Sequence, residues 1–314
     1  MSQGPGGNGP AQQNNADRAR GRASGSEPAD GDRPPRPRRG RPRWMRPAGR
    51  NLSLAVSSGV VFAVLFLAVT FISAWALVVF VAVVMVIGAL EVDAALRTTD
   101  VRPPTAPVLV GGVGTLLGAY LYGPAGQLWG LTVTVFGVLL WSLGTTSDVR
   151  PLRSASGAVM IGLWIPFLAS FLALLLRREG GEWYVVITVA LTAISDIGAY
   201  AFGSQLGRHK LASHVSPGKT WEGFAGGVVT AMVVAGVGVP LIIGEVSVAR
   251  AVALGALVAV VATCGDLAES AVKRSLGIKD LGRLLPGHGG MMDRVDTMLF
   301  TLPVAHLVLL AGGL

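Results

Sequence analysis

Long apolar runs separated by short polar stretches make up the chain after Arg50. A helix crossing the hydrocarbon core of a bilayer needs about 20 mostly apolar residues. Nine stretches approach that length: about 52–72, 74–90, 105–123, 127–144, 156–176, 183–203, 223–243, 248–266 and 295–313. Residues 52–90 are long enough to cross nearly twice, so Ser73 divides them into two spans. The expected fold class is therefore all-α. It is a polytopic integral membrane helical bundle of about nine transmembrane helices, preceded by a disordered basic N-terminal tail.

Composition supports this reading. Of 314 residues, 51% are apolar and 14% charged, against about 25% charged in soluble domains. An ordinary water-soluble globule is excluded. Cys264 is the one cysteine, so no internal disulfide framework exists. The net charge of +8 is concentrated in residues 1–50, which hold 11 Arg against 4 acids. A basic tail is not a nucleic-acid-binding fold, and no nucleic-acid partner is expected. That tail, rich in Gly, Pro and Arg, buries too little apolar surface to order itself. Its run from Arg33 to Arg46 either attracts anionic lipid head groups or only sets orientation.

With the N-terminus placed in the cytoplasm, alternating spans put 23 of the 26 Lys and Arg on the cytoplasmic side. Without the tail the balance is still 12 against 3. The organisation expected is a cytoplasmic tail (1–50), N-terminal spans (51–155) and a catalytic transmembrane region (156–314) with its site facing the cytoplasm.

Two cytoplasmic loops are chemically dense, Ser195–Glu222 and Gly265–Asp296. In a chain with 22 Arg and only 4 Lys, every lysine (Lys210, Lys219, Lys273, Lys279) lies in these loops. Ammonium and guanidinium are not interchangeable at a phosphate site. Asp196 sits within one apolar span and Asp266 closes another, both costly unless a cavity or partner receives them. Asp266, Glu269, Ser270 and Lys273 follow i, i+3, i+4, i+7 spacing, one face of a helix. Asp293 and Asp296 are three apart, and Asp196, Tyr200 and Gly203 share a stripe. Carboxylates beside cations suit a hard divalent ion holding polyphosphate.

The segment Ser213–Thr220 ends like a P-loop, but Ser213 stands where the first glycine is required, so a Walker A site is rejected. Gly218 still frees the backbone there, and Lys219 and Thr220 can meet phosphate. His288 lies among glycines near Asp293 and is a candidate phosphate donor or acid–base group, whereas His306 is assigned to packing or a helix-to-helix hydrogen bond. Gly114–Gly118 and Gly223–Gly227 have the small-xxx-small spacing of close helix contacts.

The stretch Ser270–Asp296 (S-A-V-K-R-S-L-G-I-K-D-L-G-R-L-L-P-G-H-G-G-M-M-D-R-V-D) resembles the signature of phosphatidate cytidylyltransferases, also called CDP-diacylglycerol synthases. The upstream D-x-x-A-Y-x-x-G and S-P-x-K-T-x-E-G segments fit as well. Many members of that family carry a second lysine where this chain has Gly218.

The resemblance implies a nucleotidyltransferase of phospholipid synthesis, in which the phosphate of phosphatidic acid attacks CTP to give CDP-diacylglycerol and pyrophosphate. By similarity, Asp266 and Asp293 are the leading ligands for Mg²⁺, with Asp196, Glu269 and Asp296 behind them and room for a second cation. Lys219, Lys273, Arg274, Lys279 and Arg294 are expected to hold phosphates, and Ser216, Ser270 and His288 to orient oxygens. Thr220, Glu222 and Asp280 complete the motif positions counted with the site. The implied partners are CTP, phosphatidic acid, membrane lipids and a second copy of the chain. The implied location is a bacterial-type inner (plasma) membrane. A competing reading is a polytopic transporter with Asp196 and Asp266 as ion sites near the midplane, although the charged loop after Asp266 suits an interfacial enzyme better.

Overall fold

The computed structural model describes residues 52–144, 151–282 and 289–311. The basic tail, with its expected disorder, and His288 lie outside the described residues. Among the described residues there are nine helices: α1 (Leu52–Ile72), α2 (Ala74–Leu96), α3 (Thr105–Tyr122), α4 (Pro124–Gly144), α5 (Pro151–Leu176), α6 (Gly181–Leu206), α7 (Trp221–Ile242), α8 (Val248–Ser275) and α9 (Met292–Ala311). Helices α2 to α9 are each long and apolar enough to cross a membrane, and Gly59–Ile72 of α1 is a shorter apolar helix. The all-α membrane bundle is what the hydropathy pattern requires.

Local chemistry sets several boundaries. Ser73 is the break between α1 and α2, with φ −169° and its Oγ accepting from the Ala76 amide at 3.1 Å. A serine at that position satisfies an amide the helix start leaves open. Thr220 caps α7 in the same way, accepting from Gly223 N at 3.1 Å. Pro166, which has no amide proton, sits in a π-helical turn at Leu163–Phe167 within α5. This helix runs unbroken across residues 155 and 156, where the sequence reading divides the chain.

Several helices outrun their predicted spans, α2 and α8 by the most. Helix α2 continues to Leu96 rather than 90, and α8 to Ser275 rather than 266. Hydropathy falls at the first acids, but acids with partners keep the backbone helical. Asp93, for example, accepts from Arg97 Nε at 2.7 Å and from Thr105 Oγ1 at 3.0 Å. A two-stranded antiparallel hairpin, β1 (Lys210–Ala212) and β2 (Ser216–Thr220), joins α6 to α7 and pairs Lys210 with Thr220. Its glycine, proline and serine content predicts only a loop for this stretch.

Small residues decide which helices touch. Gly118 of α3 meets the Gly126 backbone of α4, while Gly223 and Gly227 of α7 meet the carbonyls of Ala199 and Ser195 on α6. A side chain at any of these would push the helices apart. Gly114, paired with Gly118 in the sequence reading, faces open space. Two apolar clusters fill the bundle. One gathers Leu77, Leu116, Leu175, Leu191, Leu254 and Leu302, and the other gathers Val92, Val108, Ile161, Ile165, Met292 and Leu299. The second includes Leu281, Met291 and Val295 and so lies beside the helix ends that carry the polar residues.

Candidate active site

Alternating helices bring the C-terminal ends of α2, α6 and α8 to the same end of the bundle as the starts of α7 and α9. The polar residues of the two dense loops converge there. On α8, Asp266, Glu269, Ser270 and Lys273 do lie along one face, and Glu269 is only 1% exposed. Carboxylate oxygens of Asp266, Glu269 and, from α9, Asp296 lie within 4.8 Å of one another. Lys219, delivered by β2, pairs with Asp266 Oδ2 at 2.5 Å. Lys273 bonds Glu269 Oε2 and reaches Asp293 Oδ1 at 2.9 Å. The second Glu269 oxygen, Oε1, is buried with no hydrogen-bond donor in reach among the described residues.

Three crowded carboxylates repel one another strongly in a partly dry site. An oxygen with no donor is costly there as well. Both features fit a hard divalent cation, which takes carboxylate oxygens as ligands. Asp266, Glu269 and Asp296 are the residues that would hold it.

Beside this cluster opens a cavity of about 490 Å³. Its lining includes Asp196 and Tyr200 from α6, Ser216, Lys219 and Thr220 from β2, and Asp266 from α8. Thus the predicted stripe on α6 and the first residue of the predicted face on α8, Asp266, look into one space. Gly203 and Gly223 bring α6 and α7 together beside Thr220. Gly218 also lines the cavity, with nothing near where a side chain would stand.

Asp293, expected beside Asp266 as a leading ligand, does not join the carboxylate trio. Its oxygens accept from Leu281 N at 3.0 Å, Gly290 N at 2.9 Å and Lys273 Nζ at 2.9 Å. It ties the segment before α9 to the end of α8. Ser270 Oγ reaches Asp266 Oδ1 at 3.4 Å. Arg274 donates to the carbonyls of Val215 at 3.3 Å and Ile278 at 3.0 Å, linking α8 to the hairpin turn. Glu222 accepts from the amides of Arg208 at 3.1 Å and His209 at 3.2 Å and bonds His209 Nδ1 at 2.6 Å, closing the base of the hairpin. Lys279 and Asp280 are exposed on the segment after α8. Arg294 lies with an apolar groove rather than with the cavity. His306 packs edge-on to Phe171, as a helix-packing residue does.

The end of α8 is shaped by Gly277 at φ +69°. Its amide bonds Arg274 O, and the Ile278 amide bonds Lys273 O, both at 3.0 Å. This is the Schellman arrangement, which favours glycine at the left-handed position. It ends the helix just after Lys273 and Arg274.

Glu91 is the residue that sequence reasoning missed. From α2 it accepts the amides of Met291 at 3.0 Å and Met292 at 2.8 Å, capping the start of α9 across the bundle. A carboxylate at a helix N-terminus is also favoured by the helix dipole. The signal was present: an acid directly after the predicted span 74–90, ahead of Asp93 and Arg97, needs a partner at that depth.

The sequence profile described as "Cytidylyltransferase family" matches residues 53–311. The chain is 35% identical over 274 residues to a phosphatidate cytidylyltransferase of Mycobacterium bovis, covering 83% of this chain and 89% of that protein. A protein of the same name from Mycobacterium leprae is 35% identical over 277 residues, covering 83% of this chain and 88% of the relative. One from Staphylococcus aureus is 37% identical over 133 residues, 42% of this chain and 51% of its own length.

Proposed function

This chain belongs to the cytidylyltransferase family, and from that premise we propose that it converts CTP and phosphatidic acid to CDP-diacylglycerol and pyrophosphate. It is a multi-pass membrane nucleotidyltransferase. The observation that carries the proposal is the meeting of Asp266, Glu269 and Asp296 with Lys219 and Lys273 beside a polar cavity.

In the proposed reaction a phosphate oxygen of the lipid attacks the α-phosphorus of CTP. The bond from that phosphorus to the bridging oxygen of the β-phosphate breaks, and pyrophosphate leaves. The attacking oxygen is already anionic, so the protein needs no strong general base. Its tasks are to position two anions and neutralise their charge.

Lys219 and Ser216 face the cavity and are assigned to the triphosphate. The short capped approach of β2 into α7 fixes where Lys219 stands. Lys273 holds Glu269 and Asp293 in a set relation, so α8 and α9 present their carboxylates together. A divalent ion such as Mg²⁺, held by Asp266, Glu269 and Asp296, would supply charge neutralisation to the polyphosphate. The Lys and Arg asymmetry of the loops supports a cytoplasmic site, where CTP is available.

The test is release of pyrophosphate from CTP by the purified full chain in detergent with Mg²⁺. Release is expected on addition of phosphatidic acid and absent with diacylglycerol or after chelation by EDTA. Release that ignores the lipid phosphate, or no release at all, overturns the assignment.

A further inference from the structure

A second space, of about 420 Å³, lies among α1, α2, α5, α6 and α9 and is lined almost wholly by apolar side chains. Phe66, Met85, Ala169, Leu172 and Met298 are among them, and among the described residues Arg294 is the one charged residue in its lining. Arg294 is in the first turn of α9, so the cation stands at the end of the groove nearest the carboxylate cluster.

Helix α6 connects the two spaces. Val186, Val189 and Ala193 line the groove, while Asp196, Tyr200 and Gly203 line the polar cavity. Their spacing alternates between three and four residues, so all six share one face of the helix. The change from apolar to polar occurs between Ala193 and Asp196, about 4.5 Å along the helix axis. An apolar trough with a cation at its end and the polar cavity therefore follow one another along a single face of α6. The π-helical turn of α5 carries Ile165 into the same groove, and such turns are frequent at functional sites.

We propose that this groove seats one acyl chain of the lipid substrate, with Arg294 at its mouth receiving the lipid phosphate. The proposal rests on the phosphatidic acid reading above. An occupant with a long apolar chain and an anionic head matches both the lining and the charge at its end. The volume suits a single chain, which leaves the second chain of the lipid against the bilayer.

The experiment uses the full chain in mixed micelles. Ala190 is exposed within the groove, so Ala190→Phe adds bulk there without invading the core. Excluding several methylenes from an apolar site costs affinity at each one, so KM for dioleoyl phosphatidic acid should rise roughly tenfold. KM for CTP should be unchanged, and turnover of dihexanoyl phosphatidic acid, whose chains are too short to reach Ala190, should be spared. An equal loss on both lipids, or no loss on either, overturns the proposal.

A second measurement does not depend on the variant or on turnover. Phosphatidic acid bearing a diazirine near its chain end should label residues around Phe66 and Leu172 in the unmutated protein. Unlabelled phosphatidic acid should compete, and phosphatidylcholine should not. Equal competition by phosphatidylcholine means the groove holds bulk lipid only, and it refutes the selective site. Specific labelling in a chain that releases no pyrophosphate would instead sink the reaction while leaving the lipid site standing.

Discussion

Helices α6–α9 and helices α1–α5 are both apolar bundles, yet they use polar residues differently. The C-terminal group gathers Asp196, Lys219, Asp266, Glu269, Lys273 and Asp296 around one cavity and its adjoining cluster. In the N-terminal group, Asp93 serves α2 and α3 alone, bonded to Arg97 and Thr105. Glu91 is different, because it reaches across to the start of α9. The lesson is a division of labour: one half gathers the groups assigned to the proposed reaction, and the other holds a helix end in place and helps wall the groove.

The comparison breaks most visibly at the carboxylate trio. Asp296→Asn should lower pyrophosphate release by about a thousandfold, as loss of a central electrostatic group does. Its elution profile and thermal unfolding should stay close to those of the unmutated protein. Activity near normal would remove Asp296 from the reacting set.

Lys273→Arg keeps the charge but replaces a compact ammonium with a planar fork, in a site only 9% exposed. Turnover should fall by roughly tenfold to a hundredfold. Full activity would mean that charge alone matters at this position.

Glu91→Gln tests the N-terminal half directly. Removing the charged cap should cost about 1 kcal/mol of stability. Faster hydrogen exchange at the Met291 and Met292 amides is expected, with kcat lowered several-fold and KM for CTP little changed. A shift in KM for CTP alone would place Glu91 with the ligand instead.

Gly277→Ala puts a Cβ on a residue at φ +69°. Loss of about 1 kcal/mol in the unfolding equilibrium should follow, with activity reduced only modestly. The smallest effect is expected from Gly218→Lys. The position faces open cavity, so folding should be unaffected and KM for CTP should fall slightly. A destabilised variant would show that the space around Gly218 is needed by the protein itself.

Much of the fold was legible because hydropathy and helix capping are local properties. Ser73 splits its 39-residue apolar run with one hydroxyl, and the face shared by Asp266, Glu269, Ser270 and Lys273 follows from helical spacing. Hydropathy alone ends α2 and α8 at their first acids, although partners such as Arg97 for Asp93 and Lys273 for Glu269 carry both helices further. The hairpin was hidden for a similar reason: its strands are 3 and 5 residues long, too short for a periodic signal.

The sequence by itself determined the membrane bundle, the cytidylyltransferase motifs and which polar residues share a helix face. Those properties depend on residue type and on spacing along one chain segment. Tertiary structure alone decided that Asp296 rather than Asp293 completes the carboxylate trio, that Glu91 caps α9, and that Arg294 turns to the apolar groove. Each of those outcomes depends on how α2 and α8 pack against α9, where Gly88 meets Met292 and Gly265 meets Phe300, and that is settled only once the chain has folded.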